Sequence, residues 1–167
     1  MKINIQKIKG NIGERESFHF VTSADDFIDS DDRSWVNGSI AVSGEVVNNG
    51  RVIELEGLIH LTANYECDRC LKSFTKQVEI PFTEDFKEEL DNKDGGEVTY
   101  YQGDEIDIAD LVRETIFLAK PLNTVCSEEC RGLCLKCGID LNISECTCDR
   151  SVIDPRLVAL QQLLDKK

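Results

Sequence analysis

Residues 53–82 read IELEGLIHLTANYECDRCLKSFTKQVEIPF. From Ile53 onward the apolar residues Ile53, Leu55, Ile59, Leu61, Ala63 and Tyr65 alternate with Glu54, Glu56, His60, Thr62 and Asn64, the period-two pattern of a strand with one buried face. The run is unusually long for a strand, and Gly57 is read as a bulge inside it. Beyond Cys67-Asp68-Arg69-Cys70 a second alternating run sets Phe74, Val78, Ile80 and Phe82 against Thr75, Gln77, Glu79 and Thr83. The stretch therefore predicts a long antiparallel hairpin with a Cys-x-x-Cys pair at its tip.

Upstream, Ile40, Val42, Gly44 and Val46 share one face of another extended run, and Asn48-Asn49-Gly50 supplies the residues of a hairpin turn into Ile53. Residues 2–8 and 15–21 read as short strands, and residues 23–38, rich in Asp, Ser and Gly, as a loop with Trp35 as a core anchor. Downstream, residues 84–97 are acidic and Gly-containing and predict an exposed helical turn and loop, followed by a strand over 98–103. Asp107 is placed to cap a helix whose Ile108, Leu111, Val112, Thr115, Ile116 and Ala119 recur at helical spacing up to Lys120-Pro121. Asp154-Pro155 opens a C-terminal helix with Leu157, Leu160 and Leu164 on one stripe. The expected fold is α+β: an antiparallel, partly barrel-like sheet with one packed helix, a zinc-binding cysteine-rich segment and a C-terminal helix. Residues 1–121 form a β-rich acidic body on this reading, and residues 122–167 the cysteine segment and last helix, packed on it as one unit.

The segment CSEECRGLCLKCGIDLNISECTC, residues 126–148, holds six of the eight cysteines. The N-terminus has no signal-like apolar core and no window approaches a membrane span, so the expected compartment is the reducing cytoplasm, where clustered cysteines signify metal or redox chemistry. Two cysteines separated by two residues reach one zinc ion from a single tight turn. Cys134 and Cys137, followed by Gly138, have this form, and Cys146 and Cys148 supply a second pair for a four-thiolate site. Cys67, Cys70, Cys126 and Cys130 remain as a second set that would staple the hairpin tip to the chain after the helix. Spacing alone leaves exchanges such as Cys130 for Cys134 open, as it does disulfides, an iron–sulfur cluster and a redox switch that ejects zinc.

The 167 residues carry 32 acidic and 19 basic side chains, a net charge of -13, with 12 acidic residues against 4 basic ones over 81–125. Such a surface repels phosphate backbone over most of its area, because non-specific nucleic-acid affinity comes from Lys and Arg displacing counterions. No Gly-rich phosphate loop or nucleophile elbow is present, and the two histidines fall inside predicted strands, so no enzyme is expected. Asp104, Glu105, Asp107 and Asp110 are read as a helix entrance in preference to a cation site.

Cys67-x-Arg69-Cys70 with Leu71 and Phe74, the helix ending LAKPL, C-x3-C-x-GLC-x2-CG-x2-LN, C-x-C and finally DPRL together resemble the YceD family, the large ribosomal RNA subunit accumulation proteins, in their longer cysteine-rich bacterial form. The resemblance implies a non-enzymatic factor for accumulation or maturation of 23S ribosomal RNA, often encoded beside a small protein of the large subunit. Cys67, Arg69 and Cys70 match the family's most widespread motif, and Cys126 to Cys148 its cysteine-rich extension. An acidic chain in RNA maturation leaves two modes of contact. Either RNA is met locally through Arg69, Lys72 and Lys76 near the first pair and Arg131, Lys136, Arg150 and Arg156 around the second, or the acidic body, through Glu84, Asp85, Glu88 and Glu89, holds a basic ribosomal protein or assembly factor. The expected partner is the pre-ribosomal large subunit, with no membrane and no small-molecule substrate. From other classes, a redox-responsive, chaperone-like zinc protein and a thiol oxidoreductase using Cys67 and Cys70 are the competing readings.

Overall fold

The computed structural model describes residues 1–28, 35–89 and 98–148. The predicted C-terminal helix, Arg150 and Arg156 lie outside the described residues. In chain order the elements are β1 (Lys2–Asn4), α1 (Gln6–Lys9), β2 (Arg15–Ser23), α2 (Ala24–Phe27), β3 (Val36–Asn48), β4 (Ile53–Glu66), β5 (Ser73–Glu88), β6 (Thr99–Tyr101), β7 (Glu105–Asp107) and α3 (Ala109–Leu118).

The hairpin predicted over 53–82 is β4 and β5, paired antiparallel from Ile53 opposite Phe86 to Glu66 opposite Ser73. The register is unbroken, so Gly57 is no bulge. It faces Gly44 on β3, and the Phe82 ring lies so close over it that a Cβ would come within 2.5 Å of ring atoms. Both glycines are there for a close approach of backbone and ring. The irregularity sits instead in β3, between Asn37 and Ala41.

β5 also runs further than composition suggests, to Glu88. The acidic residues after Phe82 conceal a continuing alternation in which Phe86 is buried opposite Ile53. Of the helical turn and loop expected over 84–97, residues 84–88 are therefore strand, and residues 90–97 lie outside the described residues. At the N-terminus only Lys2–Asn4 is extended. Ile5 and Ile8, both fully buried, are spaced for a helical turn, and the Asn4 side chain accepts the Gln6 N–H at its start. The loop expected after β2 likewise contains the one-turn helix α2, where Ser23 Oγ accepts the Asp25 N–H.

The main sheet has the order β2-β3-β4-β5-β6, antiparallel throughout except for β6, which pairs parallel with β5; β1 and β7 form a separate ribbon. The sheet does not close into a barrel, contrary to the barrel-like expectation: β2 and β6 are its two edges. Its apolar face is covered instead by side chains of the ribbon and the helices. Ile3, Ile5, Ile8, Ile106, Ile108, Val112 and Ile116 join Ile40, Val42, Val46, Leu55, Ile59 and Phe86 in one core. A sheet whose face is roofed in this way has no need to curl on itself. Each fully buried Ile or Leu contributes about 2 kcal/mol.

α3 begins after Ile108, with Asp107 still in β7, and the Asp107 carboxylate accepts the Ala109 N–H at 3.0 Å. Trp35 is buried and stacks on Tyr65, with ring centroids 5.9 Å apart, just below the hairpin tip. Among the described residues no helix is long and apolar enough to cross a membrane.

Candidate metal centres

The tip of the β4–β5 hairpin is a tight turn. Cys67 N–H donates to the Lys72 carbonyl at 2.9 Å and Leu71 N–H to the Cys67 carbonyl at 2.8 Å, with Leu71 at φ 57°. The chain 67 positions later repeats this: Cys134 N–H donates to the Ile139 carbonyl at 2.9 Å and Gly138 N–H to the Cys134 carbonyl at 2.8 Å, with Gly138 at φ 73°. The two Cys-x-x-Cys motifs thus form the same knuckle, in which the positive-φ residue turns backbone amides inward onto the first sulfur.

Each knuckle meets a second cysteine pair. Cys67, Cys70, Cys126 and Cys130 form one group and Cys134, Cys137, Cys146 and Cys148 another, with the sulfurs of each group within 4.8 Å of one another. In the first group Cys67 Sγ lies 3.8 Å from Cys130 Sγ, and Cys70 Sγ 3.7 Å from Cys126 Sγ. Four sulfurs set tetrahedrally about 2.3 Å from a zinc ion are about 3.8 Å apart along each edge. The donor set and its spacing fit a four-thiolate metal ion, and both groups could hold one.

The sulfurs are electrostatically uneven. The Cys126 N–H, 3.4 Å from Cys67 Sγ, and the amides of Cys70 and Arg69 pull the Cys67 thiol down to about 6 against the opposing effect of its burial. The amides of Cys137 and Lys136 do the same for Cys134, also down to about 6. Cys126 is pushed up to about 12 by the neighbouring Cys67 sulfur and Cys148 up to about 12 by that of Cys137. Four ionised sulfurs this close repel one another, and a divalent cation among them would favour the ionised form of all four.

The chain from 122 to 133 is held on the hairpin tip by polar contacts. Asp68 N–H donates to the Thr124 carbonyl at 2.8 Å, Thr124 N–H to the Asp68 carboxylate at 2.5 Å and Thr124 Oγ1 to the Glu66 carbonyl at 2.5 Å. Arg69 Nη1 donates to the carbonyls of Glu128 at 3.1 Å and Cys130 at 3.0 Å, and the Arg69 carbonyl accepts the Leu133 N–H at 2.9 Å.

The basic residues singled out from the sequence fall into two kinds. Arg69 is occupied with backbone carbonyls, and Lys72 with Asp140 at 2.6 Å. Lys76, Arg131 and Lys136 are exposed and form no ion pair among the described residues. Lys76 stands with Tyr65, Phe74, Val78 and Pro121 around a groove of about 410 Å³ beside the tip. The acidic quartet does not make one surface: Glu84 and Asp85 point to opposite faces of β5, Glu84 accepts from Thr99 Oγ1, and Glu88 pairs with Lys9 at 2.5 Å. Sequence reading missed Thr124, Asp140 and Asn142. Only Asp140-x-Asn142 carried a signal, that of an Asx turn, which forms with Asn142 N–H on Asp140 Oδ1 at 2.9 Å.

A mixed open sheet that carries two four-cysteine groups, each able to hold a metal ion, defines an α+β protein. The family described as large ribosomal RNA subunit accumulation protein YceD matches residues 55–164, and the chain belongs to it. Similar proteins include the chloroplastic YCED homolog 1 of Arabidopsis thaliana, also described as a large ribosomal RNA subunit accumulation protein, 26% identical over 76% of this chain and 49% of that protein. The Zea mays protein of the same description is 28% identical over 65% of this chain and 48% of its own length. An uncharacterized Mycobacterium tuberculosis protein is 32% identical over 59% of this chain and 49% of its own. The chain thus spans about half the length of the curated relatives it matches. No solved structure matches it.

Proposed function

We propose that this chain is a non-enzymatic factor in the accumulation or maturation of 23S ribosomal RNA and the assembly of the large subunit, with two structural zinc ions. Membership of the YceD family carries the reading, and the 3.7 and 3.8 Å sulfur spacings support zinc. Each ion would be held by four thiolates in a closed site, so its contribution is to fold the 122–148 segment onto the hairpin tip. Cytoplasmic localisation and contact with the pre-ribosomal particle belong to the same proposal.

The distribution of cations favours the cysteine end as the surface that meets RNA. Of the cations remote from the tip, Lys7, Lys9 and Arg15 pair with Glu16, Glu88 and Glu45, while exposed Arg51 forms no ion pair among the described residues. Lys76, Arg131 and Lys136 are left for an external anion. Three phosphate contacts predict an affinity that falls roughly 40-fold between about 50 and 200 mM salt.

The test has two parts. Elemental analysis of protein purified under reducing conditions should give two zinc ions per chain, with Cys67→Ser and Cys146→Ser each losing one; one ion untouched by Cys67→Ser would remove the first site. Depletion of the protein in its own cell should lower mature 23S RNA. Restoration of 23S RNA by the wild-type chain and not by Lys76→Glu/Arg131→Glu/Lys136→Glu would support direct contact, and full restoration by the variant would turn the reading toward a protein partner.

A further inference from the structure

A polar path runs from Cys67 to Cys130 of the first cysteine group by way of the loop that leaves the second knuckle. Cys67 N–H donates to the Lys72 carbonyl at 2.9 Å, and Lys72 Nζ lies 2.6 Å from Asp140 Oδ2. Asp140 Oδ1 accepts from Asn142 Nδ2 at 2.8 Å, and the same nitrogen lies 3.5 Å from Cys130 Sγ. Asn142 Oδ1 in turn accepts the Arg131 N–H at 2.8 Å. Both donors of the amide and its acceptor oxygen are therefore engaged. Two backbone bonds reinforce the path: Leu141 N–H donates to the Gly132 carbonyl at 2.9 Å, and Leu133 N–H to the Arg69 carbonyl at 2.9 Å.

Asp140 and Asn142 belong to the loop that leaves the second knuckle, whose Cys134 N–H bonds the Ile139 carbonyl. Yet their side chains serve the first group. An N–H donor on a metal-bound sulfur stabilises its ionised form, and such outer contacts orient the ligand as well.

We propose that Asn142 is a positioning residue that couples the two metal centres: an ion in the Cys134–Cys148 group fixes the 139–142 loop, and the loop delivers an N–H to the Cys130 sulfur of the other group. The inference rests on reading both groups as metal sites. Coupling of this kind is reciprocal, so each ion raises the affinity for the other by one common factor.

Cobalt(II), whose thiolate charge-transfer bands report each site, is the probe, with affinities measured at neutral pH by competition with a chelator on the full chain. Disabling the second group with Cys146→Ser/Cys148→Ser should weaken the first site by about 10- to 100-fold, the range typical of lost outer-sphere support. Cys67→Ser/Cys70→Ser should weaken the second site by the same factor. Asn142→Ala should abolish most of this dependence and shift the charge-transfer band of the first site. Asn142→Asp keeps the oxygen that accepts the Arg131 N–H, removes the donor to sulfur and sets a second negative charge beside Asp140 and Cys130, so it should weaken the first site at least as much as Asn142→Ala. If it matches Asn142→Ala, the coupling runs through the N–H to Cys130. Wild-type affinity and an unshifted band in Asn142→Asp would overturn the proposal, as would two cobalt ions bound with independent affinities, an outcome that leaves the metal reading intact. Failure of either group to bind cobalt would overturn both.

Discussion

Arg69 Nη1 donates to the carbonyl oxygen of Cys130 at 3.0 Å, across 61 positions of sequence. With the companion bond to Glu128, the guanidinium closes the 126–130 segment over the hairpin tip. Arg69→Ala should destabilise the protein by about 2 kcal/mol, typical for hydrogen bonds from a charged donor. Arg69→Lys should recover only part of this, because an ammonium does not reproduce the planar fork. Urea denaturation measures both. Charge reversal at Arg69 would report this clamp, so a test of RNA contact belongs at Lys76, Arg131 and Lys136.

Leu71 and Gly138 occupy equivalent places in the two knuckles, at φ 57° and 73°. The left-handed conformation costs a leucine roughly 1–2 kcal/mol and glycine nothing. Leu71, 60% exposed, has little packing to set against that cost. Leu71→Gly should raise stability by up to about 1 kcal/mol, the greater freedom of unfolded glycine offsetting part of the gain. Gly138→Leu should lower it by a similar amount. Paired thermal melts would show the opposite signs, and two shifts of one sign would refute the equivalence.

Gly44 and Gly57 face each other across β3 and β4, and a Cβ on Gly44 would overlap the Glu56 carbonyl. Gly44→Ala must therefore displace backbone in the middle of the sheet. We expect a loss of about 2 kcal/mol or more, read as a lower denaturation midpoint. Truncating Phe18, whose ring also lies within 2.8 Å of such a Cβ, to Leu alongside it should not rescue the variant, since the obstruction at Gly44 includes backbone.

The Ala109 N–H, with the Met1 α-amino group 3.0 Å away, holds the Asp107 carboxyl below the ordinary aspartate range. A depressed pKa contributes stability that is present above the unfolded value of about 3.9 and is lost as pH falls through the folded one. The wild-type chain should thus exceed Asp107→Asn in melting temperature at pH 6, and the margin should shrink from about pH 4 downward as pH falls through the depressed folded value. Asp107→Ala, which also removes the acceptor for the helix, should cost about 1 kcal/mol at pH 6.

The long hairpin and the cysteine tip were legible from residues 53–82 because alternation is a local property, imposed by the two-residue repeat of a strand. The continuation of β5 through Phe86 was hidden, since acidic residues around a single buried Phe look like loop unless the partner strand is known. The Gly57 bulge failed for a related reason: a strand glycine marks either a bulge or a close approach, and only the Phe82 ring over it decides.

The sequence by itself determined the strand period, the turn between the two central strands, the Cys-x-x-Cys knuckles and the family motifs, all of them set within a few consecutive residues. Tertiary structure alone decided between the expected division of the cysteines, which it shows, and its exchanges, that the sheet stays open, and that Arg69 and Lys72 are engaged within the protein while Lys76, Arg131 and Lys136 face outward. These depend on contacts between segments some sixty residues apart, as between Arg69 and Cys130, and no local pattern encodes the partner of a long-range contact.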